Sequence, residues 1–448
     1  MPPGGHDGAL LRQMFSSALA AVHPGPVTAV TLDGIALPDP PGGVHLLAIG
    51  KGAHAMAGAA VEALARRGAC PAGGVIVAAT PGAPPHPALE AVVGDHPVPG
   101  PGSRAAADAV VRAAARVRPD DLAVVLLSGG ASSLVGAPVP DVGPDELAAL
   151  TGVLLGAGGD IALVNGVRRR VARWGAGRLA VALAPARVAC LVLSDVPGYD
   201  AALVGSGPCA PDATPAADVI AQLEAIGAWA RVPDGVRRRL ERAARGEPDV
   251  PPADDDAFRR VRIELLADND TAVRAAADAA RAAGFHTVAH DERLAGEARA
   301  LGAAIGATLR AAAESLPLGG RVVHVWGGEP AVTLGDAGPD ARGGRMQELA
   351  LAAAESIRGA RVVLLAAGTD GRDGPTDAAG AIVDGDTWDR MLAAGRDPAA
   401  DLAAHRSHAA LDAAGALLRT GPTGTNVADL VIACVAAPEP TVSRSDAP

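Results

Sequence analysis

The 448-residue chain is long enough for two domains, and 49% of its residues are hydrophobic. Most of these residues are Ala, Val and Leu and only 2% of the chain is aromatic, which favours helices packed on parallel sheets over β-sandwiches. The net charge of −11 argues against nucleic acid as a partner, because binding the phosphate backbone needs a basic surface. No apolar run is long enough to cross a bilayer, so we expect no membrane association.

The N-terminal region predicts an amphipathic helix over Met14–Val22, and not a signal peptide, because no basic residue precedes its apolar stretch. The cysteines are widely spaced and form no CxxC pair, which is typical of reduced thiols in a cytoplasmic protein. They are Cys70, Cys190, Cys209 and Cys434.

Short apolar runs alternate with helical spacing along the chain. The predicted strands are Val44–Ile49, Gly74–Ala79, Leu122–Leu127, Val188–Leu193, Val261–Ala267, Arg321–Trp326, Val362–Ala366 and Leu430–Val435. The predicted helices are Ala53–Arg67, Arg104–Val117, Asp145–Leu155, Thr271–Ala283, Gly296–Ser315 and Gln347–Ile357. This alternation predicts an α/β fold with parallel sheets and right-handed crossovers.

A proline-rich acidic stretch over Gly246–Asp255 is the predicted domain boundary, because its prolines end a helix and its charges resist burial. We therefore expect an N-terminal domain over residues 1–248 and a C-terminal domain over 257–437. Residues 438–448 are predicted to be a disordered tail.

Six predicted strands are followed by small, polar or charged residues, at the sheet edge where open α/β folds bind ligands. The segments that follow them are Gly50–Gly52, Ser128–Ser133, Ser194–Asp195, Asp268–Asp270 with Asn269, Gly327–Glu329 and Gly368–Gly371 with Thr369 and Asp370. One such loop would be an ordinary turn, but six together favour a binding site.

Lys51 is the only lysine among 39 basic residues. A composition that replaces lysine by arginine elsewhere indicates that this position needs a compact, mobile ammonium group; chance survival of a surface lysine is the alternative. His45 occupies the position where a Walker A motif has its first glycine, so Lys51 would act outside that motif.

The Ser128–Ser133 loop offers backbone N–H groups at Gly129 and Gly130, and hydroxyls that include Ser132. Such a loop can cradle a phosphate, and an N-capped helix behind a tight turn is an equally good interpretation.

Two segments near the C-terminus carry charge at places that suggest ligands. Thr369–Asp377 contains three carboxylates in a glycine-rich loop, which suits Mg²⁺, although a plain acidic turn is the alternative. Arg345 lies in the first turn of a predicted helix, against the usual preference for acidic residues there, and an anionic ligand would explain it.

A GxGxxA pattern over Gly175–Ala180 is a weak dinucleotide-binding fingerprint. It follows helical-looking residues and no strand, so nicotinamide binding is not expected.

The chain resembles the glycerate 2-kinases that have a C-terminal MOFRL domain, a family often labelled hydroxypyruvate reductase. The segments that carry the resemblance are AIGKGAHAM (Ala48–Met56), HPVPG (His96–Gly100), LLSGGASSL (Leu126–Leu134), LVNGVRRR (Leu163–Arg170), LSDVPGYD (Leu193–Asp200), GSGPCAPD (Gly205–Asp212), GGRMQELAL (Gly343–Leu351), GTDGRDGPTDAAGA (Gly368–Ala381) and GPTGTNVADL (Gly421–Leu430).

The resemblance implies an N-terminal Rossmann-like parallel sheet with helices on both faces, a smaller C-terminal α/β domain, and an active site in the cleft between them. It implies ATP and Mg²⁺ as cofactors and D-glycerate, or a related small hydroxy acid, as acceptor of phosphate at its 2-hydroxyl. Lys51 and Arg345 fall on the expected catalytic positions. The candidate metal ligands are Asp195 and Asp370, and the candidate substrate or phosphate ligands are His96, Ser128, Gly129, Gly130, Ser132, Asn165, Arg168, Asn269, Glu329 and Thr369.

The sequence departs from the family pattern at Arg170, Ala172, Gly175, Tyr199 and Met346. These departures leave the acceptor open: a kinase for another acceptor and a homologue that binds nucleotide without turnover are the alternatives. His96 is a candidate base, and a structural histidine beside Pro97 is an equal alternative. Whether the chain forms a homodimer is also left open.

Overall fold

The structure is a computed structural model that describes residues 5–157, 161–196, 204–335 and 338–437. The chain forms two compact units. We call residues 24–266 the N-terminal unit, and residues 5–23 together with 267–437 the C-terminal unit. No helix in these described ranges is both long and apolar enough to cross a bilayer.

The first part of the chain alternates helices with the strands of one sheet. Its helices are α1 Gly5–Ala21, α2 Pro24–Asp33, α3 Ala53–Arg66, α4 Pro101–Ala114, α5 Ala131–Leu134, α6 Pro144–Gly156, α7 Ile161–Val171, α8 Arg178–Leu183, α9 Ala216–Ala225 and α10 Asp234–Ala244. Its strands are β1 Val44–Ile49, β2 Pro71–Ala78, β3 Leu89–Val93, β4 Leu122–Leu127, β5 Arg187–Leu193 and β6 Val261–Ala267.

The second part of the chain carries the remaining elements. Its helices are α11 Asn269–Ala282, α12 Ala298–Ser315, α13 Arg345–Ser356, α14 Thr387–Ala393, α15 Pro398–Ala403 and α16 Ser407–Ala413. Its strands are β7 His286–Ala289, β8 Arg321–Gly328, β9 Val362–Gly368, β10 Gly380–Asp384, β11 Leu417–Leu418 and β12 Asp429–Ala436.

The sheet of the N-terminal unit has the strand order β3-β2-β1-β4-β5-β6, and β1 to β5 pair in parallel. Successive β1 residues face opposite sides: Leu47 packs in one apolar cluster and Leu46 in another, so both faces of the sheet are covered. The predicted Rossmann-like sheet is confirmed. Strands β2 and β3 lie on one side of β1, and β4, β5 and β6 lie on the other side. The order in which the chain adds strands therefore reverses between β1 and β4, which is where such folds bind ligands.

A separate helical cluster in the same unit is formed by α6, α7, α9 and α10. Its buried side chains include Leu150, Val167, Leu223 and Leu240. This cluster fixes α7, which carries two of the predicted ligands.

The sheet of the C-terminal unit has the order β11-β10-β9-β12-β8-β7 and is largely antiparallel. The last strand, β12, lies between β8 and β9 and runs antiparallel to both, and β10 runs antiparallel to β9. Among the described strands of this unit, only β7 and β8 are paired in parallel. The expectation of a parallel sheet was therefore wrong for this unit, because helix–strand alternation does not reveal where the final strand inserts.

The N-terminal helix α1 belongs to the C-terminal unit, which corrects the expected domain over residues 1–248. The helix packs on α11, β9 and β12. It buries Leu11, Met14, Phe15 and Ala18. The amphipathic helix was predicted, but the sequence pattern does not show which of the two units its apolar face packs against.

The predicted boundary at Gly246–Asp255 also lies inside the N-terminal unit, which continues through β6. Asp249 accepts a hydrogen bond of 2.6 Å from the buried Arg170, so part of this acidic stretch is held in place by an ion pair. The unit ends near residue 266, and the predicted tail over residues 438–448 lies outside the described residues.

The strands that sequence analysis missed are β3, β7, β10 and β11. β3 is an exposed, outer strand, β7 is also an outer strand, and β11 has only two residues, so none of these shows a long apolar run. β10 is fully buried, but it follows the acidic loop after β9 so closely that the loop concealed it.

Candidate active site

Lys51 follows β1 at the point where the N-terminal sheet reverses its strand order. Gly50 before it has φ +137°, and a Cβ there would lie 2.1 Å from Oγ of Ser128, so glycine is required. The Lys51 backbone donates to Gly129 O at 2.9 Å, and Gly52 N donates to Ser128 Oγ at 3.0 Å. Hydrogen bonds thus join the loops after β1 and β4 at the carboxyl edge of the sheet.

The β4 loop presents its backbone more than its hydroxyls. Ser128 is buried and accepts the Gly52 bond, and Ser132 Oγ lies 2.8 Å from Ser206 Oγ. The backbone N–H groups from Gly129 to Ser132 have no hydrogen-bond acceptor within the described part of the chain. Consecutive N–H groups of this kind form a concave site for an anion, which favours the phosphate-cradle interpretation.

His96 lies beside the same loop. Gly130 has φ +84°, and a Cβ there would lie 3.0 Å from His96 Cδ2 and 3.4 Å from Lys51 Cγ. Partial burial, together with the positive charge of Lys51, lowers the pKa of His96 below its ordinary value. The imidazole is therefore neutral at pH 7 and can accept a proton.

Helix α7 carries Asn165 and Arg168, and the environment of Arg168 differs from that of its neighbours. Arg169 pairs with Asp212 at 3.0 Å, and Arg170 has its own carboxylate partner in Asp249. Arg168 is half-buried, and its guanidinium has no hydrogen bond or ion pair to any described residue. Burial lowers the pKa of Arg168. A half-buried cation with no partner among the described residues is suited to an anionic ligand.

Three of the five departures from the family pattern have a local structural explanation. Arg170 lies in a buried ion-pair network with Asp249 and Asp212. A Cβ at Gly175 would lie 2.3 Å from Arg169 O, so a side chain is excluded there. Met346 is fully buried in the core of the C-terminal unit. Tyr199 lies outside the described residues.

Asp195 lies two residues after the end of β5 and is half-buried. It lies at the same carboxyl edge of the sheet as Lys51, since β1 and β5 both run parallel to β4.

Arg345 begins α13 in the C-terminal unit and is held by two carboxylates. Its Nε and Nη2 donate to Asp429 at 2.5 and 3.2 Å, and its Nη1 donates to Glu329 at 2.8 Å. Asp429 opens β12 and lies opposite the ends of β8 and β9. The anionic partner that the sequence predicted for Arg345 is therefore supplied, in this structure, by the unit itself.

The charges of Arg345 and its two carboxylate partners affect the pKa values of Arg345 and Asp429. Burial raises the pKa of Asp429 to about 7, although Arg345 acts in the opposite direction. Burial alone would lower the pKa of Arg345, but Asp429 and Glu329 together raise it above its ordinary value. The guanidinium of Arg345 stays charged. Its single positive charge does not neutralise both carboxylates that bind it.

Asp370 lies next to this pair. A Cβ at Gly368 would be 3.3 Å from Oδ1 of Asp370 and 3.3 Å from Oδ1 of Asp429, so the missing side chain leaves a gap between two carboxylates. No group of three or more His, Cys, Asp or Glu residues in the described ranges is arranged to hold a metal ion.

Two predicted ligands use their polar groups inside the unit. The hydroxyl of buried Thr369 donates to Ala428 O at 2.6 Å and accepts from Val427 N. The amide of Asn269 donates to the carbonyls of Val427 and Asp429, at 2.8 and 3.0 Å. Both residues position the backbone from Val427 to Asp429.

Buried Asp373 has a similar positioning role that the sequence did not reveal. It accepts from the backbone N–H groups of Met346 and Gln347 at 3.1 and 2.8 Å, and so fixes the start of α13. This is the usual preference for acidic residues at a helix start, supplied from another loop.

Sequence analysis missed Asp429 as a candidate, although it lies within GPTGTNVADL, directly at a strand start. It also missed a second GxGxxA pattern, over Gly50–Ala55, which does follow a strand and open a helix. The pattern over Gly175–Ala180 lies between α7 and α8 without a preceding strand, as expected.

Comparisons with known proteins cover both units. Residues 10–241 match a family described as a domain of unknown function, DUF4147, and residues 322–429 match the MOFRL family. A D-glycerate 2-kinase from Thermotoga maritima is 36% identical over 88% of this chain and 90% of its own. An Agrobacterium vitis protein provisionally named a hydroxypyruvate reductase is 38% identical, over 94% of this chain and 93% of its own.

The fold is also similar to that of a solved structure. The crystal structure of a glycerate kinase from Thermotoga maritima aligns with a TM-score of 0.81 at 34% identity, covering 95% of this chain and 99% of that one.

Proposed function

This chain belongs to the glycerate 2-kinase family of phosphotransferases, and on that basis we propose that it phosphorylates the 2-hydroxyl of D-glycerate with ATP. The products would be 2-phosphoglycerate and ADP. A related small hydroxy acid, giving the analogous phosphate ester, is the alternative acceptor.

The observation that carries this proposal is the arrangement of Lys51 beside the β4 loop. The only lysine of the chain adjoins backbone N–H groups from Gly129 to Ser132 that have no acceptor among the described residues. Phosphoryl transfer depends mainly on positioning and electrostatics, and this place supplies both a cradle and a mobile point charge.

In the reaction, the acceptor oxygen forms a bond to the γ-phosphorus while the bond from that phosphorus to the β–γ bridging oxygen breaks. Negative charge develops on the leaving ADP and the transferred group. Lys51 is the proposed stabilising cation in the N-terminal unit, and Arg345 is the proposed one in the C-terminal unit. The hydroxyl proton must be accepted, and His96, whose pKa is lowered, is the proposed base.

Arg168 and Asn165 are the proposed ligands of an anionic group, because Arg168 is half-buried with no partner in the described residues. The carboxylate of a hydroxy acid fits a guanidinium well, since the two planar groups can share two hydrogen bonds.

The carboxylates near Gly368 fit Mg²⁺. Asp370 and Asp429 place hard oxygen ligands around one gap, and Mg²⁺ in kinases is commonly held by one or two carboxylates together with substrate phosphates. A bound Mg²⁺ would neutralise phosphate charge. Asp195 remains a proposed ligand in the N-terminal unit.

The direct test is ADP release coupled to NADH oxidation by auxiliary enzymes, measured with ATP, Mg²⁺ and a panel of small hydroxy acids that includes D-glycerate. We expect turnover with D-glycerate. Lys51→Arg should bind ATP normally but lose about 10³-fold in kcat, because a planar guanidinium cannot take the position of the ammonium group.

Arg66→Lys is the control: it exchanges the same two residue types at an exposed ion pair in α3, where Arg66 contacts Asp33 at 3.0 Å. Its kcat should be unchanged. ATP binding without turnover on any acceptor would contradict the kinase proposal, and an unaffected Lys51→Arg variant would remove Lys51 from the mechanism.

A hydroxypyruvate reductase is the second candidate, because Gly50–Ala55 fits a dinucleotide fingerprint at the correct place in this topology. In such a fold an acidic residue at the end of the second strand holds the ribose of NAD. Here β2 ends at Ala78, and the residues that follow it are Ala79 and Thr80, so this acidic residue is missing. Oxidation of NADH by hydroxypyruvate, with no auxiliary enzyme present, would support the reductase instead.

A further inference from the structure

Arg345 is bound by two carboxylates that differ in how easily they can be replaced. The side chain of Asp429 is only 3% exposed and binds Arg345 through two nitrogens. The side chain of Glu329 is 46% exposed and binds through one nitrogen, Nη1. The buried, two-point contact is fixed, and the exposed, one-point contact is exchangeable.

The exchangeable contact lies on the accessible side of the guanidinium. Arg345 is 34% exposed, and the nitrogens bound by Asp429 face a fully buried carboxylate at the start of β12. Nη1 therefore presents its two N–H groups on the accessible side of the guanidinium, and in this structure Glu329 accepts one of them.

We propose that Glu329 is a built-in competitor that sets the affinity of Arg345 for phosphoryl oxygens. A phosphoryl anion takes Nη1 from Glu329, while Asp429 keeps the guanidinium in place. Glu329 thereby weakens ligand binding and keeps the cation partly neutralised when no ligand is present. This inference rests on the proposed role of Arg345 in handling phosphate.

Electrostatics favours the exchange. Two carboxylates bind one guanidinium, so the three charged groups together carry an excess of negative charge. Moving Glu329 away removes like-charge repulsion within the unit and also removes a negative charge that would repel the ligand.

The test is the affinity for ATP and for inorganic pyrophosphate, measured by titration calorimetry without divalent cations. Glu329→Gln should bind both anions about two- to five-fold more tightly, which is the range expected from removing one exposed ion pair. An unchanged or weaker affinity would overturn the proposal, because it would make Glu329 neutral or itself a ligand contact.

Glu90→Gln is the matched control. Glu90 is also 46% exposed and binds Arg112 at 2.8 Å, on β3 and α4 of the other unit. It should leave both affinities unchanged. A gain equal to that of Glu329→Gln would show a general effect of net charge and overturn the proposal.

A double-mutant cycle tests whether the effect passes through Arg345. In an Arg345→Gln background, Glu329→Gln should no longer improve binding. A gain that persists there would contradict competition for the guanidinium. Since these are binding measurements, a chain without kinase turnover would contradict the proposed function and still leave this test decisive.

Discussion

The two units build charged sites from opposite kinds of sheet. In the N-terminal unit, parallel strands deliver Lys51 and the β4 loop to one edge, and the cation adjoins backbone N–H groups. In the C-terminal unit, the antiparallel strand β12 starts where β8 and β9 end, and brings Asp429 to Arg345. One site offers donors to an anion, and the other holds its cation among carboxylates.

The difference shows how a cation can be prepared for phosphate in two ways. Lys51 is exposed and lies beside the backbone N–H groups of the β4 loop. Arg345 is oriented by a buried carboxylate and partly neutralised by an exposed one. The first arrangement favours binding, and the second favours precise orientation of the guanidinium at some cost in affinity.

The strongest test of this contrast is Asp429→Asn. Its amide cannot accept both N–H bonds from Arg345, so the guanidinium should lose its fixed orientation. We expect kcat to fall about 100-fold with little change in KM, because misplacing a catalytic group by even 1 Å can have this effect. Steady-state kinetics with ATP and D-glycerate measures both constants.

Asp401→Asn is the control. Asp401 is also 3% exposed and binds Arg396 through two nitrogens, at 2.8 and 2.7 Å. Breaking either buried pair should reduce the free energy of unfolding by about 3 kcal/mol. A similar fall in kcat for both variants would mean that Asp429 only stabilises the fold.

The same contrast explains which parts of the site the sequence predicted. The loops after β1 and β4 could be placed together because parallel strands bring their carboxyl ends to one edge. The Arg345–Asp429 pair could not be placed, because its residues are 84 positions apart and meet only through the insertion of β12. The unit to which helix α1 belongs could not be predicted for a similar reason. Its sequence pattern shows which face is apolar but not which elements that face packs against.

The individual ligands show the same limit. Thr369 and Asn269 were expected at the site because each follows a strand, and they lie just after β9 and β6. Their polar groups nevertheless bind the backbone near Asp429, which no residue pattern would reveal. The sequence therefore predicted that these residues lie at the edge of a sheet, but not which groups their side chains bind.

The units should also differ in their response to acid. Burial, together with the charges of His290 and His286, lowers the pKa of His324 in the C-terminal unit from 6.5 to about 4. In the N-terminal unit, hydrogen bonds from Gly43 and Arg118 outweigh burial and lower the pKa of Asp121 to about 2.

The sign follows from proton linkage. A neutral buried histidine contributes stability that is complete above pH 6.5 and is lost as pH falls towards 4, whereas Asp121 loses its contribution only below about pH 4. Between pH 7.5 and 5 the titration of His324 should cost the C-terminal unit about 2 kcal/mol, whereas Asp121 causes no loss in the N-terminal unit over this range.

Hydrogen exchange at the two pH values, resolved by segment, measures this difference. His324→Phe should flatten the response of β7 and β8, and His86→Gln in the N-terminal unit should leave it unchanged. Equal acid sensitivity of the two units would contradict the assignment to His324.

The smallest expected effect concerns the close approach at Gly130. Alanine there must adopt φ +84° and would place its Cβ 3.0 Å from His96 and 3.4 Å from Lys51. Gly227→Ala is the matched control, because Gly227 has φ +65° and its Cβ would meet nothing within 4 Å. Each variant should lose about 1 kcal/mol of unfolding free energy from backbone strain.

Only Gly130→Ala should also affect catalysis, with kcat lowered about tenfold, because the added methyl group displaces Lys51 and His96 from the β4 loop. Chemical denaturation and steady-state kinetics on both variants separate the two effects. If Gly227→Ala lowered kcat equally, strain alone would explain the loss. If neither variant did, the contact between Gly130, His96 and Lys51 would have no part in phosphoryl transfer, and the N-terminal site would depend on its backbone donors alone.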